Sequence, residues 1–186
     1  FGEVLIINKP SVEINAKQLD IFLDSNSKYS ISDILTPEIS KQFKKADKKV
    51  LSFGFSEASV WIKLPINNLT REKLILSINF PDLDEITLFE KSKNSKWIKK
   101  FGGDTFSRKK WEHKYKDYAF TLSSKKETVY YLKIKSRGAL TIPLQIMTEN
   151  SFNKTKMMSY YFFGGYFSIL LFMAIYNLII SIFIKS

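Results

Sequence analysis

Apolar residues between positions 60 and 146 recur at every second position, in short runs separated by turn-forming residues. An alternating run places its apolar side chains on one face of a strand and its polar side chains on the other. The alternating positions are Val60, Ile62, Leu64 and Ile66; Leu74, Leu76, Ile78 and Phe80; Ile86 and Leu88; Tyr118, Phe120 and Leu122; Tyr130, Leu132 and Ile134; and Leu140, Ile142, Leu144 and Ile146. Such strands, with almost no helical segment between them, are typical of an antiparallel sandwich. We therefore predict a mainly β domain.

Before this region, residues 4–7 and 19–23 predict two further short strands. One short surface helix is predicted after them, with Thr36 as its N-cap and Pro37 at its first position. Lys44 and Lys45 would then lie at its carboxyl end, where positive charge offsets the helix dipole. These lysines need no binding role under this interpretation.

The end of the chain has a different pattern, because residues 157–184 contain no charged residue and no histidine. About 20 apolar residues are enough for a helix to cross a bilayer. Tyrosines at the start of this run and lysines on both sides of it are typical of a membrane interface. We predict a sandwich domain over residues 1–153 and a transmembrane helix over residues 157–185. The alternative is a very hydrophobic core helix of a soluble protein.

Positive charge exceeds negative charge, with 29 Lys and Arg against 18 Asp and Glu, and the formal net charge is +11. Only Arg71, Arg108 and Arg137 are arginine, whereas the lysines are scattered along the chain. Arginine is the residue that contacts bases and phosphates in a bidentate manner. The composition therefore argues against nucleic acid as a partner and remains compatible with an anionic lipid surface.

Few residues suited to catalysis are present. The chain has no cysteine, so thiolate nucleophiles and cysteine metal sites are excluded, and His113 as its single histidine leaves too few members for a histidine metal site. Asp82, Asp84 and Glu85 cluster after Pro81, where aspartate commonly bonds the backbone of a turn. Their alternative role is as the carboxylates of a membrane-anchored hydrolase. We expect no enzymatic activity, no cofactor and no metal.

The alternation breaks between residues 97 and 118, where aromatic and polar residues are mixed. The candidate ligand contacts in this segment are Trp97, Asp104, Arg108, Trp111 and His113. Aromatic rings cover the C–H faces of a small polar ligand such as a sugar, and charged groups orient its hydroxyls. The alternative is that the segment covers an open end of the sandwich and that its rings complete the core.

Five stretches resemble, in order, motifs of the bacterial 7TMR-DISM receptors. They are Ser52-Phe53-Gly54-Phe55-Ser56 with Val60-Trp61-Ile62-Lys63-Leu64 and Asn67-Asn68; Phe80-Pro81-Asp82-Leu83-Asp84-Glu85-Ile86 with Leu88-Phe89; Gly103-Asp104 with Arg108; Thr128-Val129-Tyr130-Tyr131-Leu132-Lys133-Ile134; and Gly164-Gly165-Tyr166-Phe167 with Ala174-Ile175-Tyr176-Asn177-Leu178. The chain departs from the motifs at Lys63 and Lys133, where the family has arginine. It also stops at Ser186, before the six further helices of the family.

The resemblance implies a jelly-roll, carbohydrate-binding-like sensor in the periplasm or outside the cell, joined to the first of seven helices in the bacterial cytoplasmic membrane. A small polar or carbohydrate-like ligand would bias the helix bundle toward one of two packings and so control a cytoplasmic signalling output. The alternative is a membrane-tethered module that binds a protein or an envelope polymer without signalling.

Three residues of the predicted span suggest partner helices. Gly164 and Ser168 lie four residues apart and allow a close helix contact, and Asn177 is a polar group that favours a partner helix over lipid. We therefore expect further transmembrane helices around this one.

Overall fold

The computed structural model describes residues 3–92, 94–123 and 126–184. The chain divides into two compact units, residues 1–149 and residues 150–186. The first unit contains all the strands, and the second consists of one long helix.

The strands of the first unit are β1 (Leu5–Ile7), β2 (Ser11–Glu13), β3 (Asp20–Asp24), β4 (Lys44–Lys45), β5 (Leu51–Phe55), β6 (Ser59–Asn68), β7 (Leu74–Ile78), β8 (Glu85–Lys91), β9 (Trp97–Gly102), β10 (Tyr118–Leu122), β11 (Glu127–Lys135), β12 (Ala139–Ile142) and β13 (Leu144–Thr148). The helices are α1 (Ile31–Ile34), α2 (Pro37–Ser40) and α3 (Glu149–Ile184), and short 3₁₀ turns occur at Ala16–Gln18 and Arg108–Lys110.

Two sheets form the sandwich. The larger has the order β4-β3-β6-β11-β8-β9, with β1 added in parallel to β6, and the smaller has the order β10-β7-β13-β2. Strands β5 and β12 form a separate antiparallel pair. Eight strands can be numbered one to eight in chain order: β2, β6, β7, β8, β9, β10, β11 and β13. Strands one, eight, three and six then form the smaller sheet, and the other four lie in the larger sheet. This is the connectivity of a jelly roll, so the predicted fold class is confirmed.

Alternating residues of both sheets meet in one core. Leu64 and Leu132 of the larger sheet and Leu76 and Ile146 of the smaller one are completely buried in it. A second apolar cluster covers the outer face of the larger sheet, where Trp61 packs beneath the short helices α1 and α2. The two-residue period therefore places the apolar side chains as predicted.

Three local predictions need correction. Thr36 and Pro37 begin α2 as expected, but α2 ends at Ser40. Lys44 and Lys45 instead form strand β4, because their backbone pairs with β3, so the dipole explanation of these lysines is wrong. The predicted strand from Leu140 to Ile146 is two strands, since Pro143 cannot donate to a ladder and separates β12 from β13.

A further correction concerns the segment after residue 97, which was predicted to be irregular throughout. Its first part is strand β9, which among the described residues lies at the edge of the larger sheet and pairs with β8. Helix α1 was also missed, although Ser30 and Asp33 form a capping box at its start.

Helix α3 extends over 36 residues, which corresponds to about 54 Å at about 1.5 Å per residue. It is, within the part of the chain that the structure describes, the one helix long and apolar enough to cross a membrane. Residue 185, the end of the predicted span, lies outside the described residues. The helix begins eight residues earlier than the predicted span, directly after β13.

Candidate functional site

One end of the sandwich brings together the turn after Pro81, the start of the β9–β10 loop and the start of β10. The Tyr118 hydroxyl lies 2.6 Å from the Pro81 carbonyl oxygen, 3.3 Å from the Leu83 carbonyl oxygen and 2.9 Å from Asp104 Oδ1. The hydroxyl therefore donates to a group of acceptors from two loops. Asp104 donates its backbone N–H to the Leu83 carbonyl, which joins the same two loops again.

The Tyr118 phenol is held in its neutral form. Burial raises its pKa, and the hydrogen bond to Asp104 and the negative charge of that carboxylate raise it further. The Asp104 carboxylate thus accepts the hydrogen bond from Tyr118, although Asp104 itself is exposed to solvent.

Gly103 fits this corner because it has no side chain. Its φ of +106° is unfavourable for other residues, and an added Cβ would lie 2.4 Å from the Asp84 carbonyl oxygen. Thr105 donates both its backbone N–H and its hydroxyl to that same oxygen. The Asp82–Glu85 turn and the Gly103-Asp104 motif are therefore two halves of one backbone contact.

The carboxylate of Asp84 has structural partners. Asp84 Oδ2 accepts a 2.6 Å hydrogen bond from the Arg137 backbone N–H and lies 3.6 Å from Arg137 Nε. Ser136 Oγ donates to the Asp82 carbonyl at 3.0 Å. These contacts agree with the turn interpretation of the acidic cluster.

Trp111 and Arg108 lie on the outside of this corner. The Trp111 ring meets the Tyr118 ring edge-on at 4.9 Å and packs partly buried against the core. The Arg108 guanidinium lies 5.2 Å from the centre of the Trp111 ring, which is a cation–π geometry. Trp111 Nε1 is buried and makes no hydrogen bond within the described residues.

His113 belongs to a polar group that fastens the loop to both sheet edges. His113 Nε2 lies 2.9 Å from the Thr121 hydroxyl on β10. Lys100 on β9 forms a 3.2 Å ion pair with Glu112, and Glu112 also accepts the Thr121 backbone N–H at 2.9 Å. The loop therefore bridges strands β9 and β10.

The space inside this loop is closed. Residues Phe101, Gly102, Trp111, His113, Tyr118, Ala119 and Phe120 surround a gap with no room for a water molecule. A ligand at this loop would therefore contact its outer surface.

Trp97 lies apart from the other candidates. It packs in the outer apolar cluster, with its ring edge-on to the Tyr131 ring at 5.9 Å. The structure thus brings Asp104, Arg108, Trp111 and His113 together and separates Trp97 from them.

Sequence reasoning missed Tyr118, Lys100 and Glu112 as residues that build this end. Tyr118 was assigned to a core position of its strand, and its hydroxyl partners come from distant positions. Lys100 in β9 and Glu112, twelve residues further on, carry no local signal, because ion pairs of that kind depend on tertiary structure.

In α3, the polar side chains of Ser168 and Asn177 bond to the helix's own backbone. The Ser168 hydroxyl donates to the Gly164 carbonyl at 2.8 Å, and Asn177 Nδ2 donates to the Met173 carbonyl at 2.9 Å.

Within the described residues, no group of three or more metal-ligating side chains is suited to hold an ion.

A jelly-roll domain that continues without a linker into a helix able to span a membrane defines a membrane protein with a β-rich globular domain. The profile of the 7TMR-DISM extracellular 2 family matches residues 16–148, and the chain belongs to this family. The family implies an extracellular sensor domain of a membrane receptor, which confirms the resemblance found in the sequence. No curated protein matches the chain.

Proposed function

We propose that this chain is the ligand-sensing part of a bacterial signal-transduction receptor, with its sandwich in the periplasm or outside the cell and α3 in the cytoplasmic membrane. The supporting observation is the direct junction between sheet and helix: β13 ends at Thr148 and α3 begins at Glu149. In this proposal, a displacement of β13 on ligand binding is passed along the chain to the helix that follows it. Ligand binding then favours one packing of the transmembrane helices, provided that its affinity differs between the two packings.

The proposed ligand is small and polar or carbohydrate-like, and its contacts are Asp104, Arg108, Trp111 and His113. Support comes from the exposed Arg108 guanidinium above the Trp111 ring, since a ring face beside a charged donor suits a hydroxylated ligand. In this proposal Arg108 moves from the ring face to the ligand. Trp97 is left out because it packs in another cluster.

The domain acts by binding and not by catalysis in this proposal. The acidic turn supports this, because Asp84 is occupied by Arg137 and by the backbone of the neighbouring loop. The signal leaves through six further helices and a cytoplasmic output that lie outside this chain.

The polar residues of α3 suit contacts with those helices on two sides. Gly164 and Ser168 lie about one turn apart, and Asn177 follows Ser168 by nine residues, which is about half a turn beyond two full turns. We place one partner helix at Gly164 and Ser168 and another at Asn177.

A thermal-shift screen of residues 1–153 tests ligand binding. Saccharides, amino acids and envelope polymers are added in turn, because a ligand that binds the folded state raises the melting temperature. The proposal predicts a saturable shift of several degrees with a small polar compound. A shift with an envelope polymer alone would support the tethered, non-signalling module instead.

Arg108→Ala then tests the site, with Lys41→Ala as a matched control at an exposed lysine outside the loop. Arg108 is exposed, so its loss should leave the fold intact and abolish the shift. Unchanged affinity in Arg108→Ala and in a folded Trp111→Ala variant would contradict this site.

A further inference from the structure

A polar cleft lies beside the Asp84 turn and is distinct from the β9–β10 loop. It has a volume of about 370 Å³ and is lined by Ser25, Asn26, Ser27, Glu57, Lys135 and Arg137. These residues come from three places: the turn after β3, the turn between β5 and β6, and the end of β11. All six side chains are hydroxyl, amide or charged groups, and none is aromatic.

Ser27 holds the three walls together. Its hydroxyl donates to the Glu57 carbonyl at 3.2 Å and accepts a 2.8 Å hydrogen bond from the Ser59 hydroxyl. Its own carbonyl accepts from Lys133 Nζ at 3.4 Å, which links the turn to β11. These contacts make the cleft a preformed feature of the fold.

The backbone at Ser27 is also unusual. Its φ is +54°, in the left-handed region that residues other than glycine adopt at an energetic cost. Such conformations persist where surrounding contacts impose them, and they cluster at binding sites. The buried Asp24 carboxylate supplies one of these constraints by accepting the backbone N–H groups of Lys28 and Tyr29.

The charges of the cleft are of both signs and do not neutralise one another. Within the described residues, no ion pair shorter than 4 Å joins Glu57 to Lys135 or to Arg137. Asp84 contacts Arg137 through Nε, but 81% of the Arg137 side chain remains exposed. Glu85 is the neighbour of Lys135 across the β8–β11 pair. The cleft therefore presents cations on one wall and a carboxylate on another.

We propose that this cleft binds a free amino acid. The α-carboxylate of the ligand would contact Lys135 and Arg137, and its ammonium group would contact Glu57. Ser25 and Asn26 would then be available to contact a polar side chain of the bound amino acid. A neutral saccharide is a poorer match, because the cleft has no aromatic ring to cover a sugar face.

Calorimetric titration of the whole chain in lipid nanodiscs with each of the common free amino acids tests this inference. The amide and the N-acetyl derivative of the best ligand each lack one of the two charges. We expect saturable binding of the free amino acid, and binding of each derivative that is weaker by about tenfold or more, as for lost charge-assisted hydrogen bonds.

Variants locate the binding site. Glu57→Gln and Lys135→Gln should each weaken binding about tenfold or more. The matched controls Glu38→Gln and Lys41→Gln, at exposed positions of α2 and its carboxyl end, should bind as the wild type does. Arg108→Ala is titrated as well, to test whether the ligand binds in the loop of the proposed sensing site instead.

Three results would overturn the inference: no binding of any free amino acid, binding that survives both cleft substitutions, or equal binding of the uncharged derivatives. Loss of binding in Arg108→Ala alone would assign the ligand to the loop, which contradicts the cleft and leaves the proposed sensing function intact. Unchanged saccharide affinity in the loop variants would, conversely, contradict the proposed sensing site and leave the result for the cleft unaffected.

Discussion

Gly103 is a residue at which the corner of the sandwich tolerates little change. Alanine there would combine a left-handed backbone with a Cβ 2.4 Å from the Asp84 carbonyl oxygen. We expect Gly103→Ala to lower the free energy of unfolding by about 2–5 kcal/mol, as the sum of backbone strain and overpacking. Urea denaturation followed by circular dichroism measures this change.

Gly54→Ala is the matched control for backbone strain alone. Gly54 also has a positive φ, of +65°, but an added Cβ would meet nothing within 4 Å. Gly54→Ala should therefore lower the free energy of unfolding by about 1–2 kcal/mol. Equal losses in the two variants would show that the contact with Asp84 is not a constraint.

Tyr118→Phe removes the hydroxyl that joins the two loops at this corner. The Pro81 and Leu83 carbonyls and Asp104 then lose a donor, so we expect a destabilisation of about 1–2 kcal/mol near neutral pH. The control is Tyr131→Phe, since no hydrogen bond of the Tyr131 hydroxyl occurs in the described part of the chain. A similar loss in both variants would contradict the role assigned to Tyr118.

The stabilising effect of the Tyr118 hydroxyl should also depend on pH. The pKa of Tyr118 is raised in the folded state by burial and by Asp104, so its stabilising effect is complete below the unfolded pKa of about 10 and is lost as the pH rises above it. The difference in unfolding free energy between wild type and Tyr118→Phe should therefore shrink above about pH 10. A difference that stays constant across this range would contradict the raised pKa.

Among the elements, the β9–β10 loop is held by side chains from both sheet edges. Glu112→Ala removes the ion pair with Lys100 and the acceptor of the Thr121 N–H, so the loop should open more often. We expect faster tryptic cleavage after Lys109 and Lys110, with an effect on global stability of about 1–2 kcal/mol because the pair is partly exposed. Glu38→Ala, at an exposed acid of α2, should leave cleavage in the loop unchanged. Unaltered cleavage in Glu112→Ala would contradict the fastening role.

Most strands were predictable because burial on one face imposes a period of two. Strand β9 was not predictable from this period. It is an edge strand that carries the charged residues Lys99 and Lys100, so apolar and polar positions do not alternate along it. The pairing of β4 with β3 was hidden for a similar reason, since Lys44 and Lys45 have no apolar face. The parallel addition of β1 to β6 depends on residues about 60 positions apart in sequence and leaves no local pattern.

The candidate site was predictable only in part. Aromatic and charged residues in the β9–β10 segment indicated Asp104, Arg108, Trp111 and His113, which do converge. Trp97 was included because its strand was taken for a loop. The cleft around Ser27 was missed, because its walls come from two turns and the end of β11, which are far apart in sequence and ordinary in composition.

For the molecule as a whole, the proposed function requires that α3 crosses the membrane and that the sandwich lies outside the cytoplasm. The family and the apolar helix support a membrane protein, and the side of the membrane follows from the proposed function. The chain has no cysteine, so a single introduced thiol reports the location of one position without background from the chain itself.

The most direct measurement is therefore labelling of Lys109→Cys and Ser186→Cys in bacterial cells with a membrane-impermeant maleimide, after permeabilisation of the outer membrane alone. The proposed function predicts that the thiol at position 109 is labelled in intact spheroplasts and that the thiol at position 186 is labelled only after lysis. The cysteine-free chain is the control. Labelling of position 186 before lysis, or protection of position 109 until lysis, would contradict an extracytoplasmic sensor on a membrane-spanning helix.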